Sequence, residues 1–170
     1  MKRGPTFSLW RRAFSAPSGG GAPGRPLFIP QVFDFPFCLV LDTRWEDMDS
    51  YGHMNNVKYY SLFDTAVNRL LLQERLLSLP PAPGAPIGLV VASSCSFFKP
   101  LSFPAPVTVG VRVGKLGTSS VTYEVGAFAK GGPCAAAGTF THVYVDSTTR
   151  KAQPLPDAMR EALGRFGAVK

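Results

Sequence analysis

Apolar residues recur along the chain with two different periods, and the change of period predicts the order of the structural elements. Residues 37–45 form a β-rich apolar run that becomes charged at its end, which is typical of a strand leading into a polar turn. From Asn55 onward apolar residues recur at spacings of three and four. This spacing predicts an amphipathic helix of about 20 residues with Asn55 or Asn56 as its N-cap, ended by the proline-rich segment 79–86.

Beyond residue 86 the apolar residues alternate or form short runs, which predicts four strands. The first, at 87–98, is mostly apolar and typical of a strand buried on both faces, and others follow at 107–114, 120–128 and 135–146. Glycine-containing connections indicate a succession of hairpins, and a short helix is predicted at 155–167. Because one long apolar helix and one antiparallel sheet can bury their faces only against each other, we expect an α+β fold with a curved antiparallel sheet around a central helix.

Length and charge indicate one domain preceded by a basic leader. The chain has 170 residues, enough for one core, and no apolar run approaches the roughly 20 residues that a membrane-spanning helix needs. Residues 1–33 contain five basic and no acidic residues, whereas the remainder carries 13 basic and 11 acidic residues. The excess charge therefore belongs to the leader, and the sequence does not favour nucleic acid as a partner.

The leader, residues 1–30, is rich in arginine, serine and small residues, a composition typical of a mitochondrial transit peptide. A disordered basic tail without a targeting role is the alternative. We expect the folded domain to occupy residues 31–170. We expect the protein to be in the mitochondrial matrix if the leader is a transit peptide, and otherwise in the cytoplasm. The cysteines, Cys38, Cys95 and Cys134, form no CxxC pair, so neither a disulfide framework nor a metal site is predicted.

Candidate chemistry is concentrated at residues 44–55, "RWEDMDSYGHMN", between the first strand and the long helix. Three carboxylates, one glycine and one of the two histidines of the chain lie within these twelve positions. Carboxylates before a helix are commonly caps, and glycine is common in turns. The same residue types also make a catalytic site, so the residues alone leave both interpretations open.

The run "DMDSYGHMNN" at 47–56, followed by Tyr59 and Tyr60, resembles the signature of hotdog-fold acyl-CoA thioesterases of the 4-hydroxybenzoyl-CoA thioesterase-like family. The resemblance covers roughly residues 35–165. "FFKP" at 97–100 and "GTSS" at 117–120 resemble a strand end and a CoA-contacting loop of that family. One departure is "SFPAPV" at 102–107, where such sequences often carry Gly-Asp.

The resemblance implies a hotdog fold, hydrolysis of an acyl-CoA substrate, and a homodimer or homotetramer with each site at a subunit interface. It implies no separate cofactor, since coenzyme A is part of the substrate. The position matching the usual catalytic carboxylate of the family is Asp49.

A thioester hydrolase needs a nucleophile or base and donors for one oxyanion, and unpaired amides at a helix N-terminus are natural donors. We therefore take Asp49 as base or nucleophile, the amides from Gly52 to Asn56 as donors, and His53 as a second catalytic residue. The expected substrate-binding residues are Tyr51, Gly52, Asn55, Asn56, Tyr60, Ser119 and Ser120.

Simpler roles are expected for several neighbouring residues. Tyr59, Tyr60 and Phe63 fit core packing, Ser119 and Ser120 also fit a plain hairpin, and His142 is interpreted as structural. Asp47 and Glu46 are expected to pair with Arg44.

A catalytically silent hotdog protein that binds acyl groups or a protein partner is the alternative function. A hotdog hydratase fits less well, because the Asp/His spacing usual in those enzymes is absent. The sequence leaves open the acyl chain, the choice between dimer and tetramer, the base or nucleophile role of Asp49, and cleavage of the leader.

Overall fold

The structure, a computed structural model, describes residues 29–167, which contain five strands, two α-helices and two short 3₁₀ helices. The elements in chain order are β1 (Phe37–Leu41), α1 (Asn56–Gln73), β2 (Pro86–Phe97), β3 (Val107–Leu116), β4 (Ser120–Ala129), β5 (Cys134–Asp146) and α2 (Asp157–Gly164). The predicted order of a strand, a long helix, four strands and a terminal helix is confirmed. The predicted transit peptide lies almost entirely outside the described residues.

All five strands form one antiparallel sheet in the order β1-β3-β4-β5-β2. The hairpin succession holds for β3, β4 and β5 but is wrong for β2, which pairs with β5 at the opposite edge from β1. The prediction that this strand is buried on both faces is also wrong, because Leu89, Val90 and Val91 are 41%, 48% and 58% exposed. An edge strand rich in apolar residues has the same composition as an internal strand, so composition did not separate the two.

Helix α1 packs across one face of the sheet and supplies the centre of the core. Its fully buried residues are Phe63, Ala66, Val67 and Leu70, which follow the predicted helical spacing. They meet the alternating valines of β3 in one apolar cluster, and each large side chain buried there contributes about 1.5–3 kcal/mol. The core role expected for Phe63 is confirmed.

Both ends of α1 have identifiable causes. Asn55 is the N-cap, as predicted, and its Oδ1 accepts a hydrogen bond from the Val57 amide at 3.1 Å. At the other end Arg75 has a positive φ of 57°, and the Leu76 amide donates to the Leu71 carbonyl at 2.8 Å. This Schellman turn ends the helix at Gln73, before the proline-rich segment 79–86 that was predicted to end it.

Two long-range contacts fix the start of α1. The Tyr59 ring meets Phe97, at the end of β2, with ring centroids 5.1 Å apart. The Met54 amide donates to the Leu101 carbonyl at 2.7 Å, so the connection from β2 to β3 passes beside the polar turn. Within residues 29–167 no helix combines the length and hydropathy needed to cross a membrane.

Candidate active site

The polar turn between β1 and α1 is held by a buried carboxylate, Asp47, which is 5% exposed. The Arg44 amide donates to it at 2.7 Å, and the Arg44 guanidinium and the Lys58 ammonium each lie 3.3 Å from its Oδ1. Burial alone acts to raise the pKa of Asp47, but the Arg44 amide and these two cations outweigh it and lower the pKa below its ordinary value. The expected pairing of Asp47 and Glu46 with Arg44 is confirmed, since Glu46 lies 2.9 Å from the same guanidinium.

Asp49 lies two residues further on, partly buried, and its carboxylate is oriented by the turn itself. Its Oδ1 accepts hydrogen bonds from the amides of Tyr51 at 2.8 Å and His53 at 3.2 Å. Its own amide donates to the His53 carbonyl at 2.8 Å, which closes the turn. No residue of the described chain hydrogen-bonds its second oxygen, Oδ2, so the carboxylate is fixed by one oxygen and has the other available.

The amides proposed as oxyanion donors differ in availability. The amides of Gly52 and His53 donate to Asp49, that of Met54 to Leu101, and that of Asn55 to the Asp47 carbonyl. The Asn56 amide, the first of α1, has no acceptor among residues 29–167. It carries the partial positive charge of the helix N-terminus, so of this group it is the one able to receive a ligand oxygen.

The remaining predicted residues of the turn have distinct positions. The Tyr51 side chain is 85% exposed, while Tyr60 is half-buried beside Phe140 with ring centroids 6.2 Å apart. Gly52 has a φ of 77°, and a Cβ there would meet nothing within 4 Å. The glycine therefore serves the left-handed backbone of the turn rather than a close approach to neighbouring atoms.

Ser119 and Ser120 lie at the opposite end of the sheet from Asp49. Strand β3 begins at Val107, opposite Leu41 near the polar turn, and ends at Leu116, next to the serine hairpin. Ten residues of strand span about 30 Å. One chain therefore does not bring these serines together with Asp49.

Two parts of the site were not predicted from the sequence. The Ser102 hydroxyl donates to the Gly52 carbonyl at 3.1 Å, which ties the turn to the connection after β2. Trp45, 80% exposed, meets Phe103 edge-on with centroids 6.0 Å apart and forms an apolar rim beside the turn. The two contacts join residues 50 and 58 positions apart, for which local sequence patterns carry no signal.

The described residues contain no group of three His, Cys, Asp or Glu side chains placed to hold a metal ion. All three cysteines are free thiols, and burial raises the pKa of Cys95 to about 12. A thiol with so high a pKa is a poor nucleophile near neutral pH. Cys95 lies half-buried against the main apolar cluster.

Solved structures of other proteins share this architecture over most of the chain. The PA5185 protein from Pseudomonas aeruginosa is 41% identical, with a TM-score of 0.77 over 82% of this chain and 97% of that one. A thioesterase from Thermus thermophilus, solved with coenzyme A and zinc, is 28% identical, with a TM-score of 0.67 over 78% of this chain and 95% of that one. A 1,4-dihydroxy-2-naphthoyl-CoA thioesterase from Synechocystis is 20% identical, with a TM-score of 0.68 over 75% and 95% of the two chains, and shows likeness of fold alone.

A five-stranded antiparallel sheet packed on one central helix, shared with these structures, defines a hotdog-fold protein of the thioesterase class. The sequence profile of the thioesterase-like superfamily matches residues 43–163, so the chain belongs to that superfamily. A search of curated protein sequences gives no significant match.

Proposed function

We propose that the protein is an acyl-CoA thioesterase, which hydrolyses an acyl-CoA thioester to a free carboxylic acid and CoA. The observation that carries the proposal is the presence, in one short turn, of a fixed carboxylate with a free oxygen at Asp49 and an unengaged helix amide at Asn56. Membership of the thioesterase-like superfamily supports the reaction class. The coenzyme A bound to the Thermus thermophilus thioesterase supports the class of substrate.

In the water-mediated route, Asp49 Oδ2 accepts a proton from a water molecule whose oxygen attacks the thioester carbonyl carbon. The resulting oxyanion accepts a hydrogen bond from the Asn56 amide, where the helix N-terminus favours negative charge. Collapse of the intermediate breaks the carbon–sulfur bond, and the proton held by Asp49 passes to the departing thiolate. A positioned base of this kind contributes roughly 10²- to 10⁴-fold to the rate.

In the direct route, Asp49 Oδ2 itself attacks the carbonyl carbon and expels the thiolate, which leaves a mixed anhydride that water then hydrolyses. The hydrogen bonds accepted by Oδ1 suit either route, because they fix the carboxylate without occupying Oδ2. A single turnover in ¹⁸O-labelled water tests the direct route. Label recovered in the Asp49 carboxylate supports direct attack, whereas label confined to the product acid is expected both from the water-mediated route and from an anhydride that water attacks at the acyl carbon.

The other predicted site residues would contact substrate. His53, which is partly buried at the end of the turn, would orient water or the acyl group. Tyr51, which projects from the turn, and Tyr60, on the first turns of α1, would line the entrance and the acyl path.

We further propose that the active unit is at least a homodimer formed through β2. This strand pairs with β5 on one side only among the described residues, and the apolar side chains of Leu89, Val90 and Val91 are exposed along it. An unpaired edge with exposed apolar residues readily accepts a second strand, and a two-fold axis would make the pairing antiparallel. Such a dimer would also turn the distant Ser119 and Ser120 hairpin of one subunit toward the catalytic turn of the other, where CoA would lie.

The proposed compartment is the mitochondrial matrix, on the basis of the arginine-rich, acid-free composition of residues 1–30. If that leader has no targeting role, the same activity would be cytoplasmic.

The deciding experiment is an assay of the purified protein against acyl-CoAs of several chain lengths, with the released thiol followed by a chromogenic trap. Asp49→Asn serves as the matched control, because asparagine keeps the Oδ1 acceptor and removes the carboxylate. Thiol release by the wild type well above that of the variant supports the proposal. Binding of acyl-CoA without release at any chain length would instead support the catalytically silent acyl-binding role.

A further inference from the structure

The peptide group that joins Gly52 to His53 is hydrogen-bonded on both sides. Its carbonyl oxygen, on Gly52, accepts a hydrogen bond from the Ser102 hydroxyl at 3.1 Å. Its N–H, on His53, donates to Asp49 Oδ1 at 3.2 Å. Because the peptide group is rigid and planar, the bond to its carbonyl also fixes the direction of its N–H. Ser102 is therefore linked through one peptide group to the carboxylate that the proposed reaction uses.

This peptide group has little restraint of its own. Gly52 has a φ of 77°, and a Cβ placed on it would meet nothing within 4 Å. Glycine adopts a wide range of backbone conformations, and the space beside this one is open. A rotation of the peptide group would turn the His53 N–H away from Asp49 Oδ1. A hydrogen bond to the carbonyl oxygen from a fixed donor opposes that rotation.

The connection between β2 and β3 holds this donor in place. Leu101 is 4% exposed, and its carbonyl accepts a hydrogen bond from the Met54 amide at 2.7 Å. On the other side of Ser102, the Phe103 amide donates to Met48 Sδ at 3.2 Å. The two methionines flank the catalytic turn and are themselves paired in a β-bridge. Both neighbours of Ser102 are thus anchored to the turn, so the hydroxyl is presented to it by a fixed backbone.

The hydroxyl also strengthens the donor that it holds. A hydrogen bond accepted by the carbonyl oxygen of a peptide group polarises the group and makes its N–H a better donor. The bond from His53 to Asp49 Oδ1, at 3.2 Å, is longer than the bond from the Tyr51 amide to the same oxygen, at 2.8 Å. It is therefore the weaker of the two bonds that orient the carboxylate. Ser102 supports the weaker one.

We propose that Ser102 is a positioning residue for thioester hydrolysis: by holding the peptide group between Gly52 and His53, it keeps the Asp49 carboxylate in the orientation that reacts. Its hydroxyl bonds to the turn and not to the reacting atoms, so it is not a catalytic residue. Without it the carboxylate would spend less time in the reactive geometry, and small displacements of a reacting group are costly. This inference rests on the proposed thioesterase function.

Ser102→Ala removes the donor and leaves the backbone contacts of its neighbours in place. In the full-length protein we expect kcat to fall about three- to tenfold, the value of one hydrogen bond, with KM changed less than about twofold. Ser102→Thr keeps the hydroxyl and should retain most of kcat, since the side chain is exposed and an added methyl group has room. Steady-state kinetics with an acyl-CoA measure both constants. An unchanged kcat in Ser102→Ala, or a loss that Ser102→Thr shares, would overturn the proposal.

Ser147→Ala is the matched control. The Ser147 hydroxyl donates to the Ala82 carbonyl at 2.9 Å, so the same kind of bond is removed. Ala82 lies in the proline-rich loop before β2, whereas the catalytic turn lies near the other end of that strand, where Phe97 packs on Tyr59. Ser147→Ala should therefore cost similar stability in urea and leave kcat unchanged. An equal loss of kcat in both alanine variants would assign the effect to general stability and overturn the proposal.

A double variant tests whether Ser102 acts through Asp49. In the Asp49→Asn background the carboxylate that the hydroxyl orients is already gone. Adding Ser102→Ala to Asp49→Asn should therefore change the residual kcat less than about twofold, because the effects of two residues in one hydrogen-bonded chain are not additive. A full further loss of about three- to tenfold, as for independent sites, would show that Ser102 acts on another group and would overturn the assignment.

A measurement that needs no hydrolysis separates this inference from the proposed function. In the ¹⁵N-labelled full-length protein, the His53 amide proton reports its bond to Asp49. In Ser102→Ala we expect this resonance to move upfield and its exchange with solvent to become about three- to tenfold faster, while Ser147→Ala leaves both unchanged. These changes in a protein without hydrolytic activity would support the coupling of Ser102 to Asp49 and contradict the thioesterase proposal. Hydrolysis by the wild type, with kcat and the His53 resonance unchanged in Ser102→Ala, would contradict the role of Ser102 and leave the thioesterase proposal supported.

Discussion

The substitution Asp49→Asn should abolish most of the activity and little of the stability. Both hydrogen bonds that orient the carboxylate, from the Tyr51 and His53 amides at 2.8 and 3.2 Å, are accepted by Oδ1. Asparagine retains this acceptor but replaces the free Oδ2 with an amide group that can neither take up a proton nor attack a carbonyl. The fold of the turn is thus preserved while the chemistry is removed.

The two effects have separate magnitudes. Loss of a positioned base should lower kcat by at least about 100-fold, which corresponds to about 2.7 kcal/mol in the activation free energy. Exchanging a charged for a neutral acceptor should reduce the free energy of unfolding by less than about 1 kcal/mol. Asp49→Ala loses both hydrogen bonds and should cost about 1–3 kcal/mol in addition to the activity.

Asp47→Asn is the matched control in the same turn. Its carboxylate is buried and accepts from Arg44 and Lys58, but these cations are 65% and 30% exposed at the side chain, so solvent weakens the pairing. We expect about 1–2 kcal/mol of lost stability, with kcat changed less than about tenfold. Steady-state kinetics and urea denaturation of the three variants measure both quantities. Near-normal turnover in Asp49→Asn, or a loss in Asp47→Asn as large as that in Asp49→Asn, would refute the assignment.

Three further outcomes are expected. The lowered pKa of Asp47 means that its contribution to stability is complete above its ordinary pKa of 3.8 and is lost as pH falls through the lower folded-state pKa, so the stabilities of wild type and Asp47→Asn in urea should converge as pH falls below 3.8. Val91→Lys on the edge of β2 should yield monomers by light scattering and lose activity, whereas Val40→Lys, 65% exposed on the other edge strand, should leave the oligomer intact. A Val91→Lys protein that stays dimeric argues against the β2 interface. Deletion of residues 1–30 should preserve kcat but move a fluorescent fusion out of mitochondria, and identical distribution of both forms would exclude a targeting role.

The order of the elements followed from the sequence because each element buries one face. Hydrophobic periodicity predicts which residues are buried within the chain. The helical spacing of Phe63, Val67 and Leu70 and the alternation of valines in β3 both match the observed burial. The end of α1 did not follow from it, because Leu77 continues the apolar pattern while the chain turns at Arg75. The residue with a left-handed backbone conformation at a helix end is usually glycine, so an arginine at position 75 did not indicate that the helix ends there.

The candidate site was predictable only where its contacts are local. Asp49, Gly52 and Asn55 act on residues within four positions of themselves, so the ten-residue run 47–56 contains their geometry. The contact of Leu101 with the Met54 amide depends on how the chain crosses from β2 to β3, which no local pattern specifies. Four of the five proposed donor amides already donate hydrogen bonds within the chain, and only that of Asn56 has no acceptor among the described residues. The sequence did not indicate this difference, because it depends on the folded hydrogen-bond pattern.

The expectation that residues 87–98 form a strand buried on both faces failed for an identifiable physical reason. It was inferred by assuming that one chain covers its own apolar side chains. Val90 and Val91 of β2 do not meet that assumption, since they are 48% and 58% exposed at the edge of the sheet. An exposed apolar edge strand readily pairs with another strand. A second subunit paired through β2, as proposed, would cover these side chains, whereas the single chain leaves them exposed.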